Sequence, residues 1–214
     1  MTSTSTSASS GARDWWLRTL LVFQRPRPVF VALRDQSKEA VSDRAEPLLL
    51  IILLAGIAGV LSTRTAGSLM DDGTYDGLLV AVWAFIAGGI YGAFGCFALG
   101  GILHLCLRAL GSQGSYRRSR HIVVFAAAPI ALSLVVWPVK LAVFGDDVFR
   151  SGGSDSGTGG AIFEAIWLAF LAWAAFLLVA GVRAVHGWTW ARAGAACALA
   201  VLLPIAVGLV FATL

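Results

Sequence analysis

The sequence contains few charged residues: Asp, Glu, Lys and Arg together occupy 13% of its 214 positions, whereas an average globular protein carries about 25%. Hydrophobic residues occupy 58%. So much apolar surface cannot be buried in a soluble core of this size, which excludes an ordinary soluble domain and predicts an all-α membrane protein. Five spans of roughly 20 residues would use about 100 residues, so the rest of the chain is too short for a separate soluble catalytic domain.

Motifs of catalysis are also missing. The chain has no GxxxxGK(S/T) phosphate loop, no GxSxG turn, no CxxC pair and no paired catalytic carboxylates. We therefore expect no enzyme activity, no catalytic residue, no cofactor and no metal. Cys96, Cys106 and Cys197 lie within apolar runs, so we interpret them as packing residues rather than disulfide partners. The pI is basic, but in a membrane protein the positions of the arginines relative to the bilayer are more informative than the net charge. We therefore expect no nucleic-acid partner.

We expect no cleavable signal at the N-terminus, because the first ten residues contain neither a basic segment nor an apolar run. We interpret residues 1–12 as a disordered tail. Residues 13–46 are too charged to span a bilayer and too apolar to stay in water, which is typical of an amphipathic helical segment in the cytoplasmic interface. The RPRP sequence interrupts this segment, since proline lacks a backbone N–H, and a second short helix should begin near Val29. The residues expected to contact lipid or a partner here are Trp15, Trp16, Arg18, Arg25 and Arg27.

Five apolar runs follow and form a transmembrane domain over residues 47–214. The second run is near 36 residues, which as a helix is roughly 54 Å and exceeds the approximately 30 Å hydrocarbon core, so its end should project from the membrane. The third run contains Pro129 and Pro138, which predict kinks. The spans are expected at about 47–65, 75–110, 121–144, 161–185 and 189–214.

Basic residues collect on one side of these spans. They lie before the first span, in the loop with Arg117, Arg118 and Arg120, and near His186. The positive-inside rule therefore predicts a multi-pass protein of the cell membrane with a cytoplasmic N-terminus and an extracytoplasmic C-terminus. The loop arginines should contribute to a basic cytoplasmic face, where each is worth about 1 kcal/mol against anionic head groups.

The second run carries a face of small residues. Gly88, Gly92, Cys96 and Gly100 recur every four positions and so share one side of a helix. Such faces let helix backbones approach closely within a bilayer. The pattern fits packing against another helix of the same chain, a seam between two copies, or a groove for lipid or substrate.

Lys140 and Glu164 are charges inside apolar runs, on either side of the outer acidic loop. A charge at that depth costs a few kcal/mol unless it pairs or extends to the interface, so it is a functional candidate. The alternatives are that Lys140 extends to the surface while Glu164 caps its helix, that the two form an intramembrane polar pair, or that they serve transport.

Three histidines, His104, His121 and His186, fall at the predicted cytoplasmic ends of spans. Imidazole groups bind metals and exchange protons near neutral pH. The sequence has no HExxH motif or ligand-spaced cluster, so the other interpretation is that each one hydrogen-bonds a carbonyl or water at the interface. Spacing alone leaves open whether the three converge.

Three strings carry a family resemblance: FQRPRPVFVAL before the first span, LHLCLRALGSQGSYRRSRHIVVFAAAPIAL between the second and third, and GVRAVHGWTWARA after the fourth. The resemblance is to bacterial members of the Yip family (Ypt/Rab-interacting protein domain). It covers most of residues 23–214 and implies five spans, a cytoplasmic N-terminus and a short non-cytoplasmic C-terminus. Eukaryotic relatives carry DLYGP where this chain has SDRAEPLLL, so no Rab-binding role is carried over.

These features favour a bacterial plasma-membrane scaffold or interaction protein whose basic face binds lipid head groups, another membrane protein or a second copy. The alternative is a small transporter or transporter subunit with a site near Pro129, Pro138, Lys140 and Glu164. An enzyme acting on lipids or isoprenoids ranks third. A transporter needs a polar cavity within the membrane, a lipid enzyme needs acidic or histidine ligands facing a groove, and a scaffold needs neither.

Overall fold

A computed structural model describes the backbone of residues 5–212 and the side chains of residues 13–204. Within these ranges the chain is helical and contains no strand. Short 3-10 turns lie at Ala66–Asp71, Ser133–Val136, Gly145–Phe149 and Ser154–Ser156. The α-helices are α1 (Ser5–Leu21), α2 (Pro26–Ala32), α3 (Lys38–Asp43), α4 (Ala45–Leu61), α5 (Gly77–Ala109), α6 (Tyr116–Ala126), α7 (Ala128–Leu132), α8 (Trp137–Phe144), α9 (Thr158–His186) and α10 (Trp190–Ala212).

Four helical segments of the described chain are long and apolar enough to cross a membrane, which confirms an all-α membrane protein. The longest unbroken one, α5, has 33 residues and is about 50 Å long at 1.5 Å per residue. Many of its exposed side chains are large and apolar, including Leu78, Phe85, Ile90 and Phe94. The four segments are Lys38–Leu61, Gly77–Ala109, Tyr116–Phe149 and Thr158–His186.

The two ends of the chain are described less fully. The predicted fifth span is a single helix, α10, but its side chains are described only as far as Pro204, and Trp190–Pro204 is shorter than a span requires. Five spans therefore stay a prediction. Of the predicted disordered tail, residues 1–4 lie outside the described chain, and residues 5–12 are described only as backbone, in the first part of α1. The helix begins earlier than the apolar pattern indicated, because helix extension needs backbone hydrogen bonds and no apolar side chain.

The third span is divided into α6, α7 and α8, with an interruption just before each of the two prolines where kinks are predicted. Pro129 lies in the first turn of α7 and Pro138 in the first turn of α8. Proline is tolerated there because a first-turn N–H has no partner within the helix. Between them the Ser133 hydroxyl donates to the Ile130 carbonyl at 2.6 Å, so a local side chain satisfies a carbonyl where the regular ladder is interrupted.

The described chain divides into two compact units. We call the first the arginine unit; it comprises the described residues of Met1–Leu48, Cys96–Ala126 and Ala175–Leu214. We call the second the cavity unit; it comprises Leu49–Gly95 and Ala127–Ala174. Most arginines of the chain belong to the arginine unit.

In the cavity unit, α4 and α5 pack with their backbones in direct contact. A Cβ added at Gly92 would overlap the carbonyl of Ile52, and one added at Gly56 would overlap the carbonyl of Gly88. Glycine is needed at these positions because the opposing backbone occupies the space of a side chain. Gly88 and Gly92 therefore lie against a helix of the same chain, within one unit.

The loops of the cavity unit form a small core of their own. Met70, Val80, Val148 and Phe149 are buried together, and the Trp137 ring stacks on Phe149 with centroids 6.1 Å apart. Polar contacts join the same segments. The Arg150 guanidinium donates to the carbonyl of Met70 at 3.2 Å. Hydrogen bonds from the hydroxyl and backbone amide of Ser151 hold the pKa of Asp71 below its usual value.

The packing of α4 on α5 predicts that Gly92→Ala destabilises the protein. The new methyl group would overlap the backbone of Ile52, and overpacking of this kind costs about 1 to 3 kcal/mol. Thermal unfolding of the purified protein in detergent measures the effect. Gly95→Ala is the matched control, because a Cβ at Gly95 meets no atom within 4 Å and alanine favours a helix. Equal melting temperatures for the two variants would show that the α4–α5 contact is not close.

Candidate functional site

Arg34 binds the C-terminal end of α9. Its Nε donates to the carbonyl of Val185 at 3.0 Å, and its Nη2 donates to the carbonyl of Ala184 at 2.6 Å. The last four carbonyls of a helix have no partner within the helix, and the end of the helix dipole attracts positive charge. Arg34 therefore satisfies two free acceptors and neutralises the helix end.

Other arginines of the arginine unit make the same kind of contact. Arg192 Nη2 donates to the carbonyl of Leu110, just after α5. Arg118 Nη2 donates to the carbonyl of Arg34, and Arg44 Nη1 donates to the carbonyl of Asp35, both at 3.0 Å. The contacts of Arg192 and Arg118 connect segments more than 80 residues apart in sequence, whereas that of Arg44 is within one region of the chain.

Arg44 is fully buried, with 0% of its surface exposed. Its guanidinium lies 5.5 Å from the centroid of the Trp15 ring, and Trp15 packs in turn on Phe125, with ring centroids 5.8 Å apart. A tryptophan face attracts a cation, more strongly when water is excluded. Sequence reasoning missed Arg44; the available signal was an arginine only three positions before the Pro47 that opens the first apolar run.

Helix α1 presents two different faces. Trp15 is only 4% exposed and lies against the arginine unit. On the other side Leu17 is 54% exposed and Leu20 66% exposed, and Trp16 is exposed beside them. The guanidinium of Arg18 lies over the Trp15 ring at 5.1 Å. The predicted lipid-contacting residues are thus divided: Trp15 packs inside, whereas the exposed ones are Trp16, Arg18, Arg25 and Arg27.

The arginines predicted for a loop, Arg117, Arg118 and Arg120, lie in the first turns of α6 and have different surroundings. Arg117 is exposed and Arg118 is held by the hydrogen bond described above. The Arg120 guanidinium lies 4.6 Å from the centroid of the Phe97 ring and 4.9 Å from that of Tyr116. Of the three, Arg117 is the one that the structure leaves fully on the surface.

The small-residue face of α5 is divided between two neighbours rather than forming one seam. Gly88 and Gly92 lie against α4, whereas a Cβ at Gly100 would overlap the side chain of Arg120. Cys96 is buried between these two contacts along the helix. The two ends of the small-residue repeat therefore contact different elements: Gly88 and Gly92 contact α4, and Gly100 contacts Arg120 of α6.

The cavity unit contains a cavity of about 580 Å³. Lys140 Nζ lies 2.8 Å from Asp155 Oδ2 at its wall. Of the alternatives for these two charges, an ion pair of Lys140 with Glu164 is not formed here: the turn at Ser154–Ser156 supplies the carboxylate that pairs with the lysine. Glu164 lines the same cavity and is exposed, whereas Pro129 and Pro138 are not among its described wall residues. The main wall residues are Leu61, Arg64, Ser133, Trp137, Lys140, Asp155, Phe163, Glu164, Trp167 and Phe170.

The three histidines have different surroundings. His121 is buried, and His104 lies beside Tyr116 with ring centroids 5.9 Å apart. His186 Nδ1 lies 3.0 Å from the carbonyl of Val182 in its own helix. Across residues 13–204, no group of three His, Cys, Asp or Glu side chains lies close enough together to hold a metal ion.

Comparison with known proteins gives one match. A family model described as Yip1 domain matches residues 20–212, which is most of the chain. No curated protein and no solved structure matches the chain.

The capping of α9 predicts a measurable loss of stability in Arg34→Gln. Removing the guanidinium leaves the carbonyls of Ala184 and Val185 without their charged donor, at a cost of about 1 kcal/mol. Arg34→Lys should restore part of the loss, since it keeps the charge at the helix end. Arg27→Gln is the matched control, because Arg27 is exposed and makes no hydrogen bond or ion pair to any described residue. Thermal unfolding in detergent compares the three, and an equal loss in Arg34→Gln and Arg27→Gln would contradict the capping role.

Proposed function

The chain belongs to the Yip1 domain family, and from that membership we propose that it is a scaffold or interaction protein of a bacterial plasma membrane. Its apolar helices fit a multi-pass membrane protein that contacts membrane lipids. The proposed activity is binding, through exposed basic residues of the arginine unit, to anionic lipid head groups or to another membrane protein. The proposal assigns no catalytic reaction.

The observation that carries this proposal is the outer face of α1. Leu17 and Leu20 are more than half exposed on a helix whose other side is packed on protein. Arg25 and Arg27 follow directly and are exposed as well. An apolar face flanked by arginines is what an interfacial helix needs, since the apolar groups enter the acyl boundary while the cations meet anionic head groups.

We extend the proposal to the topology. The arginine-rich segments, including the start of α6 with Arg117, would face the cytoplasm, and the acidic loop with Asp146 and Asp155 would face outward. This orientation requires five crossings, with α10 as the fifth. Apolar α10 supports that count, because 23 residues at 1.5 Å each are about 35 Å, enough to cross a roughly 30 Å core.

A second candidate function, a small transporter, is supported by the cavity. Lys140, Asp155 and Glu164 place charged groups against tryptophan and phenylalanine walls, and charged groups within membrane segments are typical of transport sites. Movement of a bound ligand across a bilayer, measured in proteoliposomes, would separate a transporter from a protein that only binds.

The proposed role of α1 predicts that Leu20 lies in lipid when anionic lipid is present. A single cysteine at Leu20, in a protein with Cys96, Cys106 and Cys197 replaced by Ala, would carry a polarity-sensitive dye. Its emission should shift to the blue in nanodiscs that contain anionic lipid, and added salt should reduce the shift because it screens the arginines. Replacing both Arg25 and Arg27 by Gln should remove the salt-dependent part.

A dye at Glu39→Cys is the control for this experiment, because Glu39 is an exposed polar position on α3. It should report water in both lipids. If the dye at Leu20 behaves like the dye at Glu39 in anionic nanodiscs, α1 does not enter the lipid boundary and the lipid part of the proposed function fails.

The topology predicts opposite access for Gln113 and Ser154, which are both exposed. In the same cysteine-free background, a membrane-impermeant thiol reagent added to intact cells should label Ser154→Cys and leave Gln113→Cys unlabelled. Cell lysis should make both reactive. Labelling of both positions in intact cells would contradict the orientation.

A further inference from the structure

We propose that the cavity binds a phospholipid whose head group is zwitterionic and carries an ammonium group. The lipid would place its head group at the charged wall and the beginning of its acyl chains against the aromatic wall. This binding goes beyond the proposed function of the arginine unit and does not depend on it, because every wall residue belongs to the cavity unit.

The cavity has one apolar wall and one charged wall, which matches the apolar chains and polar head group of a lipid. Its apolar wall consists of Trp137, Phe163, Trp167 and Phe170, which lie in membrane-spanning segments. Its polar wall includes Arg64 and Asp155, which lie in loops just beyond the ends of such segments. A site with apolar residues within a span and charged residues at its end fits a molecule with a polar head and apolar chains.

The charges at the wall select the kind of head group. Lys140 and Asp155 neutralise each other at 2.8 Å. Arg64 and Glu164 form no ion pair with any residue in 13–204, so one cation and one carboxylate are free. The planar guanidinium of Arg64 suits a phosphate, and the carboxylate of Glu164 can accept hydrogen bonds only, which suits an ammonium donor.

A purely anionic lipid is a poorer fit. Its phosphate could satisfy Arg64, but it has no ammonium group to compensate the charge of Glu164. Losing this charge-assisted contact should weaken binding about tenfold or more. The wall therefore favours phosphatidylethanolamine over phosphatidylglycerol.

The volume and surroundings of the cavity also fit a lipid. About 580 Å³ lies within the range of roughly 300 to 1,000 Å³ for small-molecule sites. The acyl chains have a continuing apolar surface on α9, where Ile162, Ile166 and Leu168 are exposed beside the cavity wall. A head group can thus be held in the cavity while its chains remain along the protein.

The test is lipid binding by the purified full chain, measured by native mass spectrometry from detergent. Phosphatidylethanolamine and phosphatidylglycerol with identical acyl chains are compared. We expect phosphatidylethanolamine to bind about tenfold more tightly. Glu164→Gln should abolish this preference, and Arg64→Gln should weaken binding of both lipids. The matched control is Glu39→Gln, which removes an exposed carboxylate outside the cavity and should leave the preference for phosphatidylethanolamine unchanged.

A competition arm separates the lipid from its head group. Glycerophosphoethanolamine, which has no acyl chains, should compete only at much higher concentration, because it cannot contact the aromatic wall. The proposal is overturned if both lipids bind wild-type protein equally, if Glu39→Gln removes the preference as fully as Glu164→Gln does, or if the chain-free head group competes as well as the lipid. Melting temperatures of the variants equal to wild type show that Glu164→Gln and Arg64→Gln keep the fold.

Discussion

The structure depends on how the backbone carbonyls at helix ends find hydrogen-bond donors. The last carbonyls of every helix lack an internal donor, and an unpaired buried carbonyl costs about 1 to 3 kcal/mol. In the arginine unit, guanidinium groups supply the donors: Arg34 binds the end of α9, and Arg192 binds the end of α5. Arginine suits this task because its charge persists at any physiological pH and its planar fork reaches two acceptors at once.

Arginines that bind backbone carbonyls or aromatic rings within the protein are not available to bind a lipid head group or a partner. Arg118 and Arg44 donate to carbonyls of neighbouring turns, and Arg120 lies over two aromatic rings. They position segments of the arginine unit and have little capacity left for a head group. The exposed cations without such a contact include Arg25 and Arg27 of the α1–α2 region, Lys38, Arg108 and Arg117. The surface that can bind lipid or a partner is thus narrower than the basic composition of the chain indicates.

The wall of the cavity carries two kinds of charge, an ion pair and two unpaired groups. The ion pair of Lys140 with Asp155 neutralises itself and fixes the wall. The free charges are Arg64 and Glu164, which come from different elements and carry opposite signs. A ligand with one positive and one negative group would satisfy both, and aromatic side chains form the apolar part of the same wall. The pair and the two single charges therefore have different roles, although all four lie at one cavity.

The sequence by itself determined the features that composition and local geometry control. Sparse charge and long apolar runs determined an all-α membrane protein, and Pro129 and Pro138 determined the breaks in the third span, because a proline acts on its own turn. Only the tertiary structure decided that Lys140 pairs with Asp155, that Gly100 meets Arg120 while Gly92 meets α4, and that Arg44 is buried under Trp15. Periodicity shows which side of a helix is small or apolar. The partner that covers that side depends on which distant segments the fold brings together, and no local pattern encodes that choice.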